Sequence, residues 1–161
     1  MDIEPFELER FFYRFEHDAD IMLAESGIES RSTAAFDTDP GELGYVIPTA
    51  GDPEFRSEVG SVHGRTAEET LFTCGTQEAN LLALFALIES HAVVVTPTYG
   101  SLTELPATLG EVTHVPLETP GWTLDPDAVA EAIRPDTDVV IVVNPNNPTG
   151  KSYSPVALQR L

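Results

Sequence analysis

Apolar residues along this chain change their period from one stretch to the next. In FELERFFYRFEHDADIMLAES, Leu8, Phe11, Phe12, Phe15, Ala19 and Met22 recur at helical intervals. The spacing predicts an amphipathic N-terminal helix, facing the core or packed outside it. The following stretch, GIESRSTAAFDTDPGELGYVIPTAG from Gly27 to Gly51, has little periodicity and many turn formers. Irregular runs of that length are functional loops or disordered segments.

Beyond Asp52 the pattern becomes regular. Asp52-Pro53, Asp125-Pro126 and Ser154-Pro155 each pair a side-chain acceptor at N-cap with proline at the first helical position, marking three helix starts. Short apolar runs at Thr70–Thr73, Ala92–Thr96, Val112–Val115 and Val139–Val143 read as strands. Helical patterns at Glu78–Glu89, after Ser101 and at Asp127–Arg134 fall between them. Strand alternating with helix specifies an α/β fold with a mainly parallel sheet. In such sheets ligands bind beyond the carboxyl ends of the strands. Three loops lie there: CGTQEAN, PTYGS and NPNNPTG.

Composition narrows the partners. Twenty-seven acids face eight bases among 161 residues, a net charge of −19. That surface repels nucleic-acid phosphates and anionic membranes. Seven of the bases are arginines and the only lysine is Lys151. Acid excess combined with lysine depletion fits a halophile's carboxylate-rich surface; the alternative is a simply acidic protein. No apolar run is long enough to span a membrane and the first residues do not form a secretory signal, so a cytoplasmic location is expected. Cys74 is the single cysteine, which excludes an internal disulfide. His17, His63, His91 and His114 lack ligand spacing, so no metal site and no histidine catalysis are expected.

The three loops differ in what they imply. In CGTQEAN, Gly75 permits close backbone approach, and Thr76 and Gln77 open a helix whose first N–H groups and dipole favour an anion. A simple threonine cap on a glycine turn reads the same way. Tyr99 in PTYGS either stacks on a planar ligand or caps the core. In NPNNPTG, Pro145 and Pro148 fix the backbone while Asn146 and Asn147 offer amide donors and acceptors. A cis X-Pro bond there would re-aim the adjacent asparagine. A mere turn does not need seven such constrained residues.

In this order, GTQEAN, PTY and NPNNPTG after an apolar strand, together with LGYVIPTAGDPEFRSEV upstream, resemble the class I/II aminotransferases. These are fold-type I enzymes dependent on pyridoxal 5'-phosphate. The resemblance covers the chain from about Leu43 onward. It implies a three-layer α/β/α arrangement, with residues 1–42 an N-terminal helix and arm and 43–161 an incomplete cofactor-binding large domain. It also implies roles: Gly75, Thr76 and Gln77 in the phosphate cup, Tyr99 stacked on the pyridine ring, and Asn147 bonded to the cofactor's phenolic oxygen. Tyr45 matches a tyrosine that reaches the neighbouring subunit's phosphate, so a homodimer is implied. The substrates implied are an amino acid and a 2-oxo acid.

The family's Schiff-base lysine, its acid partner for the pyridine nitrogen and its carboxylate-clamping arginine lie downstream of these motifs. Lys151 occupies a variable position after NPNNPTG, so no catalytic residue is assigned. The family sheet has strand order 3-2-4-5-6-7-1, of which this chain would supply the first four strands. The expectation is therefore the N-terminal part of an enzyme, inactive alone and prone to aggregate through exposed strand edges. Alternatives are a non-catalytic remnant or dimerisation module, or another fold-type I enzyme such as a lyase or synthase. A regulator would need a DNA-binding segment, which the acidic N-terminal helix does not offer.

Overall fold

The computed structural model describes residues 5–23, 27, 31–37, 44 and 50–161. The chain divides into two compact units, one formed by residues 1–12 and 73–161 and the other by residues 13–72.

The larger unit is built on β1 (His91–Thr96), which pairs in parallel with β2 (Glu111–Pro116) and with β3 (Thr137–Ile141). The strand order is β2-β1-β3. Parallel neighbours require crossovers, and helices supply them: α4 (Ser101–Leu109) joins β1 to β2 and α5 (Pro126–Ala132) joins β2 to β3. Alternation along β1 sends Val93 and Val95 into one layer with Val115, Leu117, Leu124, Val129 and Tyr153. Ala92 faces the opposite layer, where Leu84 and Ile88 of α3 (Thr76–Leu87) and its C-cap meet Leu102, Leu105 and Leu109 of α4. Ala92, Val93 and Val94 have no exposed surface. The result is the expected α/β/α sandwich, with Ala157 and Leu158 of the short helix α6 (Pro155–Gln159) packed on the Val93 layer.

All three N-cap signals hold. Asp52 Oδ1 accepts from Phe55 N at 2.9 Å at the head of α2 (Pro53–Val62). Asp125 Oδ1 accepts from Asp127 N at 2.9 Å, and Ser154 Oγ from Ala157 N at 3.1 Å. The strand expected at Thr70–Thr73 does not form. A strand exists only with a ladder partner, and among the described residues the backbone here makes one such contact, Phe72 N to Ala50 O at 3.2 Å. Arg56 instead donates from Nε to Thr70 O at 2.7 Å and from its terminal nitrogen to Ala67 O. If Thr70–Thr73 counts as the family's first strand, the observed order is the 3-2-4 portion of its sheet.

The N-terminal helix is shorter than its periodicity suggested. Helix α1 covers Glu7–Phe15, and Asp18 N and Ala19 N both bond to Phe15 O, closing it. Asp18 and Asp20 are poor helix formers, which limits continuation toward Met22. No residue of α1 is fully buried.

Two polar features order the start of β1. His91 is fully buried, its Nδ1 at 2.7 Å from Thr137 Oγ1 and its Nε2 at 2.9 Å from Thr113 Oγ1. It bridges all three strands, which accounts for a histidine in the core. Between His91 and Ala92 the register shifts, so that their partners are Thr137 and Val139 and Asp138 is left unmatched. This bulge frees the Asp138 carboxylate to turn back. Its Oδ2 accepts from Glu89 N at 2.9 Å, Ser90 N at 2.6 Å and His91 N at 3.1 Å. Those three N–H groups, Ser90 first, hold the Asp138 carboxyl below its usual range. The folded pKa lies under the unfolded one, so the stabilisation is present above about pH 4 and disappears as pH falls through the folded value. Asp138→Asn is expected to lower the urea midpoint at neutral pH and to flatten its decline below about pH 4.

Candidate functional site

The carboxyl ends of β1 and β3 and the N-terminus of α3 gather the polar loops. Gly75 precedes α3 with φ 85° and ψ 171°, a region essentially closed to other residues. A Cβ at this position would meet nothing within 4 Å, so the space beside the turn is open. Among the described residues no side chain caps α3. Its first N–H groups are therefore left available, with the positive end of the helix dipole behind them. The turn is held from within: Thr73 Oγ1 donates to Gly75 O at 2.9 Å and Glu78 accepts from Cys74 N. Thr76 and Gln77 are the first two residues of the helix, as expected.

Tyr99 lies in the loop that carries β1 into α4. Its hydroxyl donates to Glu9 Oε1 at 2.6 Å, and the Phe6 ring meets its ring edge-to-face at 5.0 Å and 86°. Burial raises the Tyr99 phenol, the bond to Glu9 and its charge raise it further, and a hydrogen bond with the Gln77 side chain pulls the other way. Gln77 and Tyr99 are thus in one cluster. Beside Tyr99, the buried Thr98 Oγ1 and Ser101 Oγ have no partner among the described residues.

NPNNPTG divides its two central asparagines. Asn146 is buried, with Nδ2 donating to Pro97 O at 3.2 Å and lying 2.9 Å from Thr149 Oγ1. Its backbone closes the loop, N to Lys151 O and O from Gly150 N, each 2.7 Å. Asn144 Oδ1 accepts from Tyr153 N at 2.9 Å. Asn147 is exposed and its amide makes no hydrogen bond among the described residues. Asn144–Pro145 and Asn147–Pro148 are both cis. Asn146 fastens this loop to the one leading into Tyr99, while the neighbouring asparagine keeps its amide free.

Gly75, Thr76, Gln77, Tyr99 and Asn147 therefore lie along one end of the larger unit. Tyr45 lies outside the described residues. Among the described residues no group of histidine, cysteine and carboxylate side chains has a metal-binding arrangement. No helix among them is long and apolar enough to cross a membrane. Sequence reasoning missed two features. Asn146 serves as a latch, and only its place in a doubly proline-locked loop hinted at that. Phe6 and Glu9 meet Tyr99 across about 90 residues of chain, for which no local pattern gives a signal.

Residues 18–161 match the family model described as aminotransferase class I and II. The aspartate/prephenate aminotransferase of Thermus thermophilus is 34% identical over 133 residues, 75% of this chain and 34% of that protein. A threonine-phosphate decarboxylase from a Sinorhizobium species is 36% identical over 85 residues, 52% of this chain and 22% of that protein. The crystal structure of a PLP-dependent aminotransferase from Streptococcus suis superimposes with a TM-score of 0.85 at 30% identity, covering 99% of this chain and 47% of that one. The chain spans about a third of the length of the curated aminotransferases it matches.

The backbone at Gly75 gives a direct check on the turn. Gly75→Ala introduces no collision, so its cost is torsional, about 1–3 kcal/mol. Urea unfolding is expected to show a loss of that size. Amide exchange at Thr76 and Gln77 is expected to quicken as the turn relaxes.

Proposed function

The chain belongs to the class I and II aminotransferase family, whose members depend on pyridoxal phosphate, and we propose that it forms the N-terminal, cofactor-facing part of such an enzyme. The observation that carries this reading is the convergence, at one sheet end, of an uncapped helix N-terminus, an aromatic ring and a free asparagine amide. The residues fit the group. An open glycine turn suits the close approach of a phosphate, and the unpartnered Thr98 and Ser101 hydroxyls suit further polar contacts.

In this reading the N–H groups of Thr76 and Gln77 receive the phosphate, with Gly75 allowing the approach. Tyr99 offers its ring to a planar heterocycle. Asn147 donates its amide to the phenolic oxygen and favours its anionic form. When bound, the cofactor supplies an electron sink for the pair left at the substrate α-carbon. The residues described here bind and orient; none of them is assigned the proton at that carbon. Lys151, the only lysine, directly follows the NPNNPTG loop, a variable position by the family resemblance, and we take the 161 residues alone to be inactive.

An amino acid and a 2-oxo acid are the substrates this reading proposes, with a homodimer as the working form and the cytoplasm as its location. Two further parts of the reading are the division into an arm over 1–42 and a large domain from 43, with Tyr45 reaching a neighbouring subunit. The Sinorhizobium decarboxylase supports a second reading, a lyase on the same cofactor site, because the family fold does not fix the reaction. The net charge of −19 supports a halophilic protein.

The complete polypeptide bearing these residues is expected to take up pyridoxal phosphate with a visible absorbance band that shifts with one class of amino acid. A 2-oxo acid is then released. Carbon dioxide release instead would favour the lyase, and no uptake would refute both. Tyr99→Ala is expected to weaken cofactor binding roughly three- to tenfold. Thermal unfolding in a potassium chloride series is expected to move to higher temperature as carboxylate repulsion is screened. An unchanged midpoint would argue against the halophilic reading.

A further inference from the structure

Phe6 and Glu9 converge on Tyr99 in a way that packing of a surface helix does not require. Arg10 N bonds to Phe6 O at 3.1 Å, so Phe6 opens α1 and Glu9 follows in its first turn. Residues three apart share a helix face, and this face meets Tyr99 twice. The Glu9 carboxylate accepts a hydrogen bond from the Tyr99 hydroxyl at 2.6 Å, and the Phe6 ring abuts the aromatic ring. Glu9 enters no ion pair among the described residues, although its charge is available for one.

Gly100 supplies an independent indication. Its φ of −54° and ψ of −36° suit any residue, so no torsional requirement explains a glycine. The reason is steric. A Cβ at position 100 would fall onto the Phe6 ring, within 2.7 Å of Cδ2 and closer still to Cε2. The residue beside Tyr99 is thus the one that admits Phe6. Phe6 and Glu9 also wall a cleft with Gln77 and Ser101, so the N-terminal segment and the first turns of α3 and α4 border one space.

We propose that Phe6 and Glu9 are positioning residues for Tyr99, fixing its ring at both edge and hydroxyl in the orientation that stacks on a planar cofactor. The inference rests on the cofactor reading given above. A tyrosine at the mouth of a loop otherwise samples several rotamers, and ordering them on binding costs affinity. A phenol anchored to a carboxylate and a ring braced by a second ring have already lost that freedom.

The test uses the complete polypeptide with Glu9→Ala, Glu9→Gln and Gly100→Ala, and two readouts. The first is the ultraviolet titration of the Tyr99 phenol in cofactor-free protein, taken as the difference from Tyr99→Phe. The second is the dissociation constant for pyridoxal phosphate. In Glu9→Ala the phenol is expected to titrate at lower pH, and binding to weaken about tenfold, the scale of a hydrogen bond to a charged group. Glu9→Gln still accepts from the phenol and is expected to recover most of the affinity. Gly100→Ala, whose backbone tolerates alanine, is expected to weaken binding by displacing Phe6. Unchanged affinity in Glu9→Ala and Gly100→Ala overturns the proposal, whether or not the phenol moves. If the unaltered protein binds no cofactor, the proposal falls together with the cofactor reading. A shifted phenol would then locate the failure in that reading rather than in the Glu9–Tyr99 contact.

Discussion

The site depends on one constraint: β1 is hydrogen-bonded on both edges and covered on both faces. A strand in that position has no solvent-facing side, so Ala92, Val93 and Val94 are apolar without alternation. Parallel pairing with β2 and β3 then sends all three strands out at the same end. Whatever polar chemistry the chain carries in its strand-exit loops must collect there. The opposite end is closed by Asp138, whose carboxylate gathers the Glu89, Ser90 and His91 N–H groups at the strand entrance.

From that constraint the loops acquire separate tasks. Asn146 is buried and joins the β3 exit to the β1 exit, which makes the two loops one surface. Asn147, one residue later, stays exposed with an amide uncommitted among the described residues. Gly75 adopts a backbone conformation in which other residues are strained, and α3 begins with no side-chain cap among the described residues. Each feature is a departure from what stability alone would select, and all sit at the same end. Buried hydroxyls at Thr98 and Ser101 that have no partner among the described residues belong to the same pattern. Unsatisfied groups of this kind persist where a ligand completes them.

Much of this was legible in the residues. N-cap acceptors followed by proline marked α2, α5 and α6 because that chemistry is local. The apolar runs marked β1, β2 and β3, since a short β-branched run reads as a strand whatever its partners. Thr70–Thr73 misled for the same reason: its residues favour a strand, but pairing is a tertiary property that composition does not carry. Histidine 91 read as a scattered titratable residue, although it is a buried bridge between threonines of two neighbouring strands. The Glu9–Tyr99 contact joins positions far apart in the chain, and nothing in either neighbourhood announces the other. Motif order revealed the family, whereas the supports around each motif became visible only in three dimensions.

The central claim is that this sheet end grips a phosphorylated pyridine. A crystal structure of the complete polypeptide grown with pyridoxal phosphate tests it most directly. The account predicts phosphate oxygens within hydrogen-bonding distance of the Thr76 and Gln77 N–H groups, Tyr99 against the ring and Asn147 at the phenolic oxygen. Cofactor bound elsewhere, or a lattice saturated with it that leaves the α3 N-terminus to water, would contradict the account.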